Sequence, residues 1–426
     1  MVNKIAQIFR IPEIRKKILV ILGLLLFFRL LSVIPIPGAN TEVLKNLLDA
    51  NASLGLLNIF SGGSLSNVSI ALLGVSPYIT ATIILQLLTM IFPKLKEIYY
   101  EEGATGRAKF NKISRLITIP LAFVQTYGIL SLLASQQVIP SFTILDFSLW
   151  VNIMVATATA MILLWVGELI DEQKLGNGVS LIIFAGIVSG FPSYIGSVLS
   201  GLAYGTLRVD TLAVFIAFAL IVITAIVFVN QGEHRVTISY PKRVKGTRVY
   251  GGVESYLPIK VNQAGVIPII FALAILSFPQ MIGNFLRGIL PTAGVQISDA
   301  IMRFLNNQWA YGLIYLFLVF VFTYFYTAVV FNPEEISKNL QRSGGFIPGI
   351  RPGEPTQKYL NTIISKITLF GAAFLGFIAV LPMLTQGITG HSFTIGGTSL
   401  LIVVSVALDS ANQIDSQLKV REYDTV

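Results

Sequence analysis

The stretch GVSPYITATIILQLLTM, residues 74–90, decides how the rest of this sequence is interpreted. It carries no charge, and as a helix it is roughly as long as the hydrocarbon core of a bilayer is thick. It also contains a set of serine, threonine and glutamine side chains: Ser76, Thr80, Thr82, Gln86 and Thr89. Because each of these needs a hydrogen-bonding partner in hydrocarbon, a helix that faces only lipid is disfavoured. The pattern favours a membrane helix with one face against protein or water.

The segment just before this helix, SGGSLSN at 61–67, is too polar to span a membrane and too rich in glycine to form a firm helix. A soft segment that leads into a membrane helix with polar positions is a plausible half of a gated opening. We use this hypothesis to interpret the rest of the chain.

The composition places the chain in a membrane. It is 54% hydrophobic and 12% charged, whereas soluble domains are about 25% charged. The chain has no cysteine and two histidines, which argues against disulfides, thiolate metal sites and Ser-His-Asp catalysis. We predict no catalytic residue, no metal site and no cofactor. The net charge of +9 is interpreted below from its placement, and not as a sign of direct DNA binding.

Ten windows almost free of charge follow one another, each near the ~20 residues that a membrane helix needs. They lie at 18–34, 74–92, 116–139, 147–167, 179–202, 211–232, 261–283, 310–330, 367–391 and 392–408. Arg29 lies inside the first window, where a lone arginine is costly. We favour the interpretation in which its side chain extends to the outer interface, and the alternative is a role inside the protein.

The basic residues orient these windows. If the N-terminus is cytoplasmic, 25 of the 30 Lys and Arg residues fall in cytoplasmic segments, as the positive-inside rule requires. Ten windows divide into five and five, so two halves with a shared fold would be inverted repeats with the functional site between them. We therefore predict an all-α polytopic membrane protein of ten transmembrane helices, with an N-terminal half at 1–208 and a C-terminal half at 209–426.

Two aliphatic stripes begin helices. Val75, Ile79 and Ile83 follow one another at intervals of four residues, and Val179 and Ile183 repeat that spacing. Ordinary helix packing explains such spacing, and a narrow hydrophobic collar that excludes ions explains it as well. Spacing alone does not choose between them.

Two cytoplasmic connections, 232–260 and 331–366, are long and basic. The segment YPKRVKGTR at 240–248 has the alternation of a basic hairpin, and the glycines and prolines of 344–355 favour a shaped loop that presents Arg351. These loops are either attracted to anionic lipids or form a docking surface for a partly anionic partner, such as a ribosome or a motor. We favour the docking surface.

Two other functions remain open. A secondary transporter of small solutes is disfavoured because the windows contain no Asp or Glu near the bilayer midplane. An insertase or scaffold without an aqueous path is the second alternative.

Five segments resemble the SecY family, the channel subunits of the bacterial Sec protein translocase. They are FSGGSLSNVSIALLGVSPYITATIILQLL (60–88), WVGELIDEQKLGNGVSLIIFAGIVSG (165–190), LPIKVNQAGVIPIIFA (257–272), NPEEISKNLQRSGGFIPGIRPGEPTQKYL (332–360) and FTIGGTSLLIVV (393–404). The resemblance implies two inverted halves around an hourglass pore in the bacterial cytoplasmic membrane, with both termini cytoplasmic. It also implies a protein-conducting channel, not an enzyme, that moves unfolded polypeptides across the membrane and releases transmembrane helices sideways.

The resemblance further implies the site residues. The plug corresponds to 57–67, including Leu57, Phe60, Gly62, Gly63, Leu65 and Asn67. The pore ring corresponds to Val75, Ile79, Val179, Ile183, Ile270 and Ile402. The lateral gate falls between the second and third spans on one side and the seventh and eighth on the other, with Gln86 and Asn262 as its polar contacts. The partner-binding loops carry Lys242, Arg243, Lys245, Arg248 and Arg351.

The same resemblance implies the partners. They are SecE, which clamps the halves, SecG, and the SecA ATPase or the ribosome, which bind the cytoplasmic loops and supply the energy. A signal sequence opens the gate and the translocating polypeptide fills the pore.

Overall fold

The computed structural model describes residues 11–37, 43–44, 58, 61, 63–100, 102–140, 142, 146–205, 209–240, 243–245, 248–250, 254–289, 293–305, 307–389 and 397–424. Its helices in chain order are α1 Pro12–Val33, α2 Ser76–Ile91, α3 Pro93–Tyr100, α4 Gly103–Ser135, α5 Phe147–Glu172, α6 Gly178–Ala203, α7 Val209–Gln231, α8 Ile267–Ile289, α9 Ala293–Leu305, α10 Gln308–Val330, α11 Pro333–Ser343, α12 Glu354–Thr389 and α13 Gly397–Asp424.

Each of the ten predicted spans coincides with one of these helices: α1, α2, α4, α5, α6, α7, α8, α10, α12 and α13. By length and hydropathy, five segments of the described chain can each cross a membrane, and a sixth can if α2 and α3 are one bent span. The five are Thr105–Ser135, Phe147–Glu172, Leu212–Gln231, Trp309–Ser343 and Glu354–Leu381.

Several helices run past the predicted ends of the spans, on the side that the sequence predicts to be cytoplasmic. α4 begins at Gly103, and α12 begins at Glu354 although we expected irregular structure through 355. Pro355 occupies the second position of α12, where a helix has no use for the missing N–H, so this proline starts the helix instead of preventing it. The irregular loop is therefore 344–353.

Four short strands lie in the connection 232–260. β1 Glu233–Ser239 pairs antiparallel with β4 Glu254–Lys260, with Val236 opposite Leu257. β2 Arg243–Lys245 pairs antiparallel with β3 Arg248–Tyr250. The predicted basic hairpin is thus confirmed, and it is the tip of a longer two-stranded arm.

The helices pack mainly as two groups, α1 to α6 and α7 to α13. The principal contacts between the groups are α8 against α2 and α4, and α6 against α13. The largest hydrophobic cluster draws side chains from both groups, from Ile21 of α1 to Val406 of α13. The division of the chain into two inverted halves at 208 stays a prediction.

Candidate functional site

The six predicted pore-ring residues come from the starts of three helices and from the second turn of a fourth. Val75 is the residue before α2 and Ile79 lies in its first turn, while Val179 and Ile183 open α6. Ile270 lies in the first turn of α8, and Ile402 lies on α13. All six belong to the largest hydrophobic cluster, five as buried members and Val179 as a partly buried neighbour. The structure therefore brings them into one apolar region.

The first turn of α6 is fixed by polar contacts. Asp171, near the end of α5, accepts a hydrogen bond from the backbone N–H of Gly178 at 2.7 Å, and the Asn177 side chain accepts one from Ser180 at 3.0 Å. A β-carbon at Gly178 would collide with the carbonyl oxygen of Gly167 on α5. Because only glycine permits this approach, the sequence GNG holds the α6 end, and with it Val179 and Ile183, close against α5.

The predicted plug is held by short polar contacts and not by a helix of any length. Its described part contains a single turn of 3₁₀-helix, Leu65–Asn67, with the Leu65 side chain buried. Asn58 accepts from the Ser66 backbone through its side-chain oxygen at 2.9 Å and from Gly63 through its carbonyl at 2.8 Å. Leu57, Phe60 and Gly62 lie outside the described residues.

The C-terminal end of α1 contacts the predicted plug from one side. The Asn67 side chain donates to the carbonyl of Ser32 at 3.4 Å. The chain after α1 pairs with the chain after the plug, with Ile36 N–H donating to Val68 at 2.8 Å and Ile70 N–H donating to Ile34 at 2.9 Å. Gly63 contacts the opposite side, because a β-carbon there would lie 3.6 Å from the carbonyl oxygen of Gly186 on α6.

The two faces of the predicted lateral gate meet through α8, which packs against α2 and α4. Gln86 is half-buried on α2, and its side-chain oxygen has no hydrogen-bond partner within the described residues. Asn262 is buried just before α8 and donates to the Asn230 side chain at 2.7 Å. Within the described part of the chain, no hydrogen bond joins Gln86 to Asn262.

Sequence reasoning missed three polar partners near the gate. Asn230 of α7 donates on to the Ser405 hydroxyl of α13 at 2.6 Å, so Asn262 belongs to a network of three chain segments. Gln125 of α4 donates to Thr80 of α2 at 3.3 Å, inside the protein. The signal that could have found Asn230, Gln125 and Ser405 is the presence of amide and hydroxyl side chains in otherwise apolar spans.

The described parts of the two long loops, 232–260 and 331–366, form one unit with its own small core. Val236 and Ile259 of the β1–β4 arm pack with Ile347 of the second loop and with Leu360 and Ile364 of α12. Other, partly buried hydrophobic side chains pack around this core.

The backbones of the two loops are joined as well. Ser239 and Phe346 exchange two backbone hydrogen bonds, of 2.9 and 3.0 Å. A β-carbon at Gly345 would lie 2.9 Å from the Tyr240 ring, so the loops approach each other closely.

Four of the five predicted docking residues lie within the described parts of this unit. Arg351 is exposed at the end of the irregular loop, and its carbonyl accepts from the Thr356 hydroxyl at 2.8 Å, which ties the loop to α12. Arg243, Lys245 and Arg248 belong to β2 and β3, while Lys242 lies outside the described residues. Within the described part of the chain, no cluster of three or more His, Asp or Glu side chains could hold a metal ion.

Comparison with known proteins gives the family. The SecY family model matches residues 69–411. The chain belongs to the SecY family. The protein translocase subunit SecY of Thermotoga maritima is 43% identical over 428 residues, which is 98% of this chain and 95% of that protein. The SecY of Streptomyces scabiei is 38% identical over 444 residues, 100% of this chain and 99% of that protein.

Solved structures give the same fold at lower sequence identity. A structure described as that of a protein conducting channel matches with a TM-score of 0.65 at 19% identity, over 93% of this chain and 90% of the other. Sec61 in the canine ribosome-channel complex from the endoplasmic reticulum matches with a TM-score of 0.63 at 19% identity, over the same shares. The predicted family and the predicted all-α, ten-helix polytopic fold are both confirmed, and the chain is a multi-span membrane protein.

Proposed function

We propose that the chain is a protein-conducting channel through which unfolded secretory polypeptides cross the cytoplasmic membrane. Its membership of a family of protein translocase subunits supports this function over a small-solute transporter. The observation that carries the mechanism is the union of six aliphatic residues from four helices in one apolar region, directly after the hydrogen-bonded plug. This is the arrangement that a seal for a nonselective pore requires.

A channel for polypeptides must accept every side chain, so hydrogen-bond recognition in its narrowest part would hinder transport. The ring of Val75, Ile79, Val179, Ile183, Ile270 and Ile402 offers only aliphatic groups, which bind no substrate strongly. An apolar constriction also excludes ions by dewetting. The ring and the plug together keep the resting channel closed.

Lateral release uses the contact of α8 with α2 and α4. A signal sequence is itself an apolar helix, and its burial between the gate faces is favourable by about 25 cal/mol per Å² of apolar surface. Opening is then a population shift that is set by the higher affinity of the signal for the open state. Gln86 and Asn262 contribute polar contacts along this gate.

The channel has no catalytic site in this proposal, and its partners supply the energy. The joined loops 232–260 and 331–366 support docking of SecA or the ribosome on the cytoplasmic side, because they share a small core and expose Arg351. SecE clamps the two halves, SecG accompanies them, and anionic lipids contact the basic loops. The positive-inside bias supports cytoplasmic N- and C-termini.

Cysteine crosslinking tests the pore. The natural chain has no cysteine, so single cysteines at Ile79, Ile183, Ile270 and Ile402 report without background. We expect a stalled secretory chain to crosslink at these four positions. Matched control cysteines replace Ile91 and Leu199, which lie on the same helices as Ile79 and Ile183 but are 70% and 61% exposed. Crosslinks at the controls alone would refute the pore assignment.

Conductance separates the channel from a scaffold. Deletion of residues 57–67 should raise the ion conductance of reconstituted channels, whereas a scaffold without an aqueous path should show none. Solute uptake by the purified protein along a gradient, without partners, would instead support the transporter.

A further inference from the structure

Arg29 is the single Asp, Glu, Lys or Arg in the ten predicted spans, and the structure places its head beside the plug. A β-carbon at Gly63 would lie 3.9 Å from Arg29 Nη1 and 4.0 Å from the Ser189 hydroxyl oxygen of α6. Gly63 therefore sits in a narrow space between α1 and α6, with the guanidinium group at the contact. The guanidinium group therefore lies beside the plug, and our sequence-based preference for a side chain that extends to the outer interface stays a prediction.

The same turn of α1 makes a second contact with the plug. The Ser32 hydroxyl donates to the Arg29 carbonyl at 2.8 Å, and the Ser32 carbonyl accepts from Asn67 at 3.4 Å. Further out, Ile36 pairs with Val68 through the backbone. The plug thus lies along the outer end of α1, and Arg29 touches its innermost described part.

We infer that Arg29 is a positioning residue that holds the plug in its resting place; this inference rests on the proposed sealing role of residues 57–67. A guanidinium group has five N–H donors and is costly to bury without oxygen partners. The seated plug brings its backbone and hydroxyl oxygens to that region, which also contains Gly186 and Ser189 of α6. When the plug leaves, those oxygens leave with it, and the charge then needs the water of an open pore.

This gives the plug two favourable arrangements. In the first, the plug is seated and its oxygens lie around the Arg29 guanidinium group. In the second, the plug is fully displaced and water surrounds that group. A half-displaced plug would take oxygen partners away from the charge before water could replace them. Arg29 therefore both retains the plug at rest and makes its release a two-state event.

The experiment uses the full channel complex, with Arg29→Met as the test variant and Arg29→Lys as the conservative one. Arg303→Met is the matched control, because it removes an exposed arginine of the outer side that lies on α9, away from the plug. Two readouts are compared. The first is ion conductance at rest in planar bilayers, and the second is the rate of disulfide formation between Ser32→Cys and Asn67→Cys in the cysteine-free chain.

We expect Arg29→Met to raise the resting conductance several-fold and to slow disulfide formation several-fold. Arg29→Lys should bring both the resting conductance and the rate of disulfide formation most of the way back to the parent values. Arg303→Met should behave like the parent. Because removal of a buried charge makes membrane insertion easier, the amount of Arg29→Met protein in the membrane should not fall.

Unchanged conductance and disulfide rate in Arg29→Met would overturn the inference, and so would a failure of lysine to restore either one. Deletion of residues 57–67 in parallel separates the two levels of the argument. If the deletion leaks and Arg29→Met does not, the positioning role is wrong while the plug stands. If neither leaks, the proposed seal itself is wrong.

Discussion

The packing of Ile183 predicts how strongly the pore ring holds the channel closed. Its side chain is fully buried in the resting structure, whereas in an open pore it faces the passing chain and loses most of this packing. Truncation of a buried isoleucine to alanine costs about 2–5 kcal/mol. If this loss falls on the closed state alone, even its lower limit raises the ratio of open to closed channels about 30-fold.

The neighbouring Ile182 provides the control. It is 1% exposed on the same helix but points toward α5, since its Cδ1 would lie 3.7 Å from a β-carbon on Gly167. Ile182→Ala should destabilise the closed and open states alike, because this side chain faces α5 and its truncation leaves the close backbone approach of Gly178 to Gly167 in place. It should lower the thermal stability of the protein without opening the channel.

The assays are single-channel recording without substrate and translocation of a secretory protein with a defective signal sequence. Ile183→Ala should increase the open probability and admit the defective substrate, and Ile182→Ala should do neither. If the two variants have equal effects on open probability, burial of Ile183 reflects general helix packing, and the ring is not the seal.

Three further predictions concern the docking loops and α6. Arg351→Glu should sharply lower the transport of a secretory protein into vesicles, while the variant itself inserts normally into the membrane. Arg342→Glu on α11 is the exposed control. Equal transport by Arg351→Glu and the parent would remove Arg351 from the docking site. Gly345→Val should separate the two loops, because its side chain would meet the Tyr240 ring, and so weaken partner binding in a sedimentation assay; unchanged binding would mean that the loops dock independently. Gly178→Ala should displace the start of α6 and raise resting conductance, and a silent variant would show that the α5–α6 contact does not position the ring.

Much of the fold follows from the sequence because a membrane simplifies the physics. A span must be apolar for about twenty residues, so all ten spans could be located before the structure was known. The ends of the helices could not be located in this way, since α4 and α12 continue into water, where hydropathy gives no signal. Pro355 is an example: it is interpreted as a helix breaker in isolation and becomes a helix start once its neighbours are known.

The candidate site, too, could be predicted from the sequence only in part. The aliphatic stripes of Val75 and Val179 are visible in the sequence, but the spacing could not distinguish a collar from ordinary packing. Long-range polar partners are invisible for a different reason: Asn230 and Ser405 lie far apart in the chain, and only the fold brings their side chains within 2.6 Å. The direction in which the Arg29 side chain points could likewise not be predicted, because it depends on where the plug segment packs in the fold.

The different chemistry of plug and ring implies a division of labour between them. The described plug is held largely by hydrogen bonds from serine, asparagine and backbone groups, and each such bond is worth only about 0.5–1.5 kcal/mol net because water replaces it. Displacement of the plug into water therefore costs little free energy. The ring is different, since its aliphatic groups gain nothing from water and must keep contact either with one another or with a polypeptide.

From this it follows that the ring supplies most of the free energy that keeps ions out while a chain is moving, and the plug closes the pore that the chain leaves behind. Ring substitutions such as Ile183→Ala should then raise ion leakage during transport as well as at rest, whereas loss of a plug contact, as in Arg29→Met, should raise leakage at rest alone. A ring variant that leaks only at rest, or an Arg29 variant that leaks only during transport, would reverse this assignment.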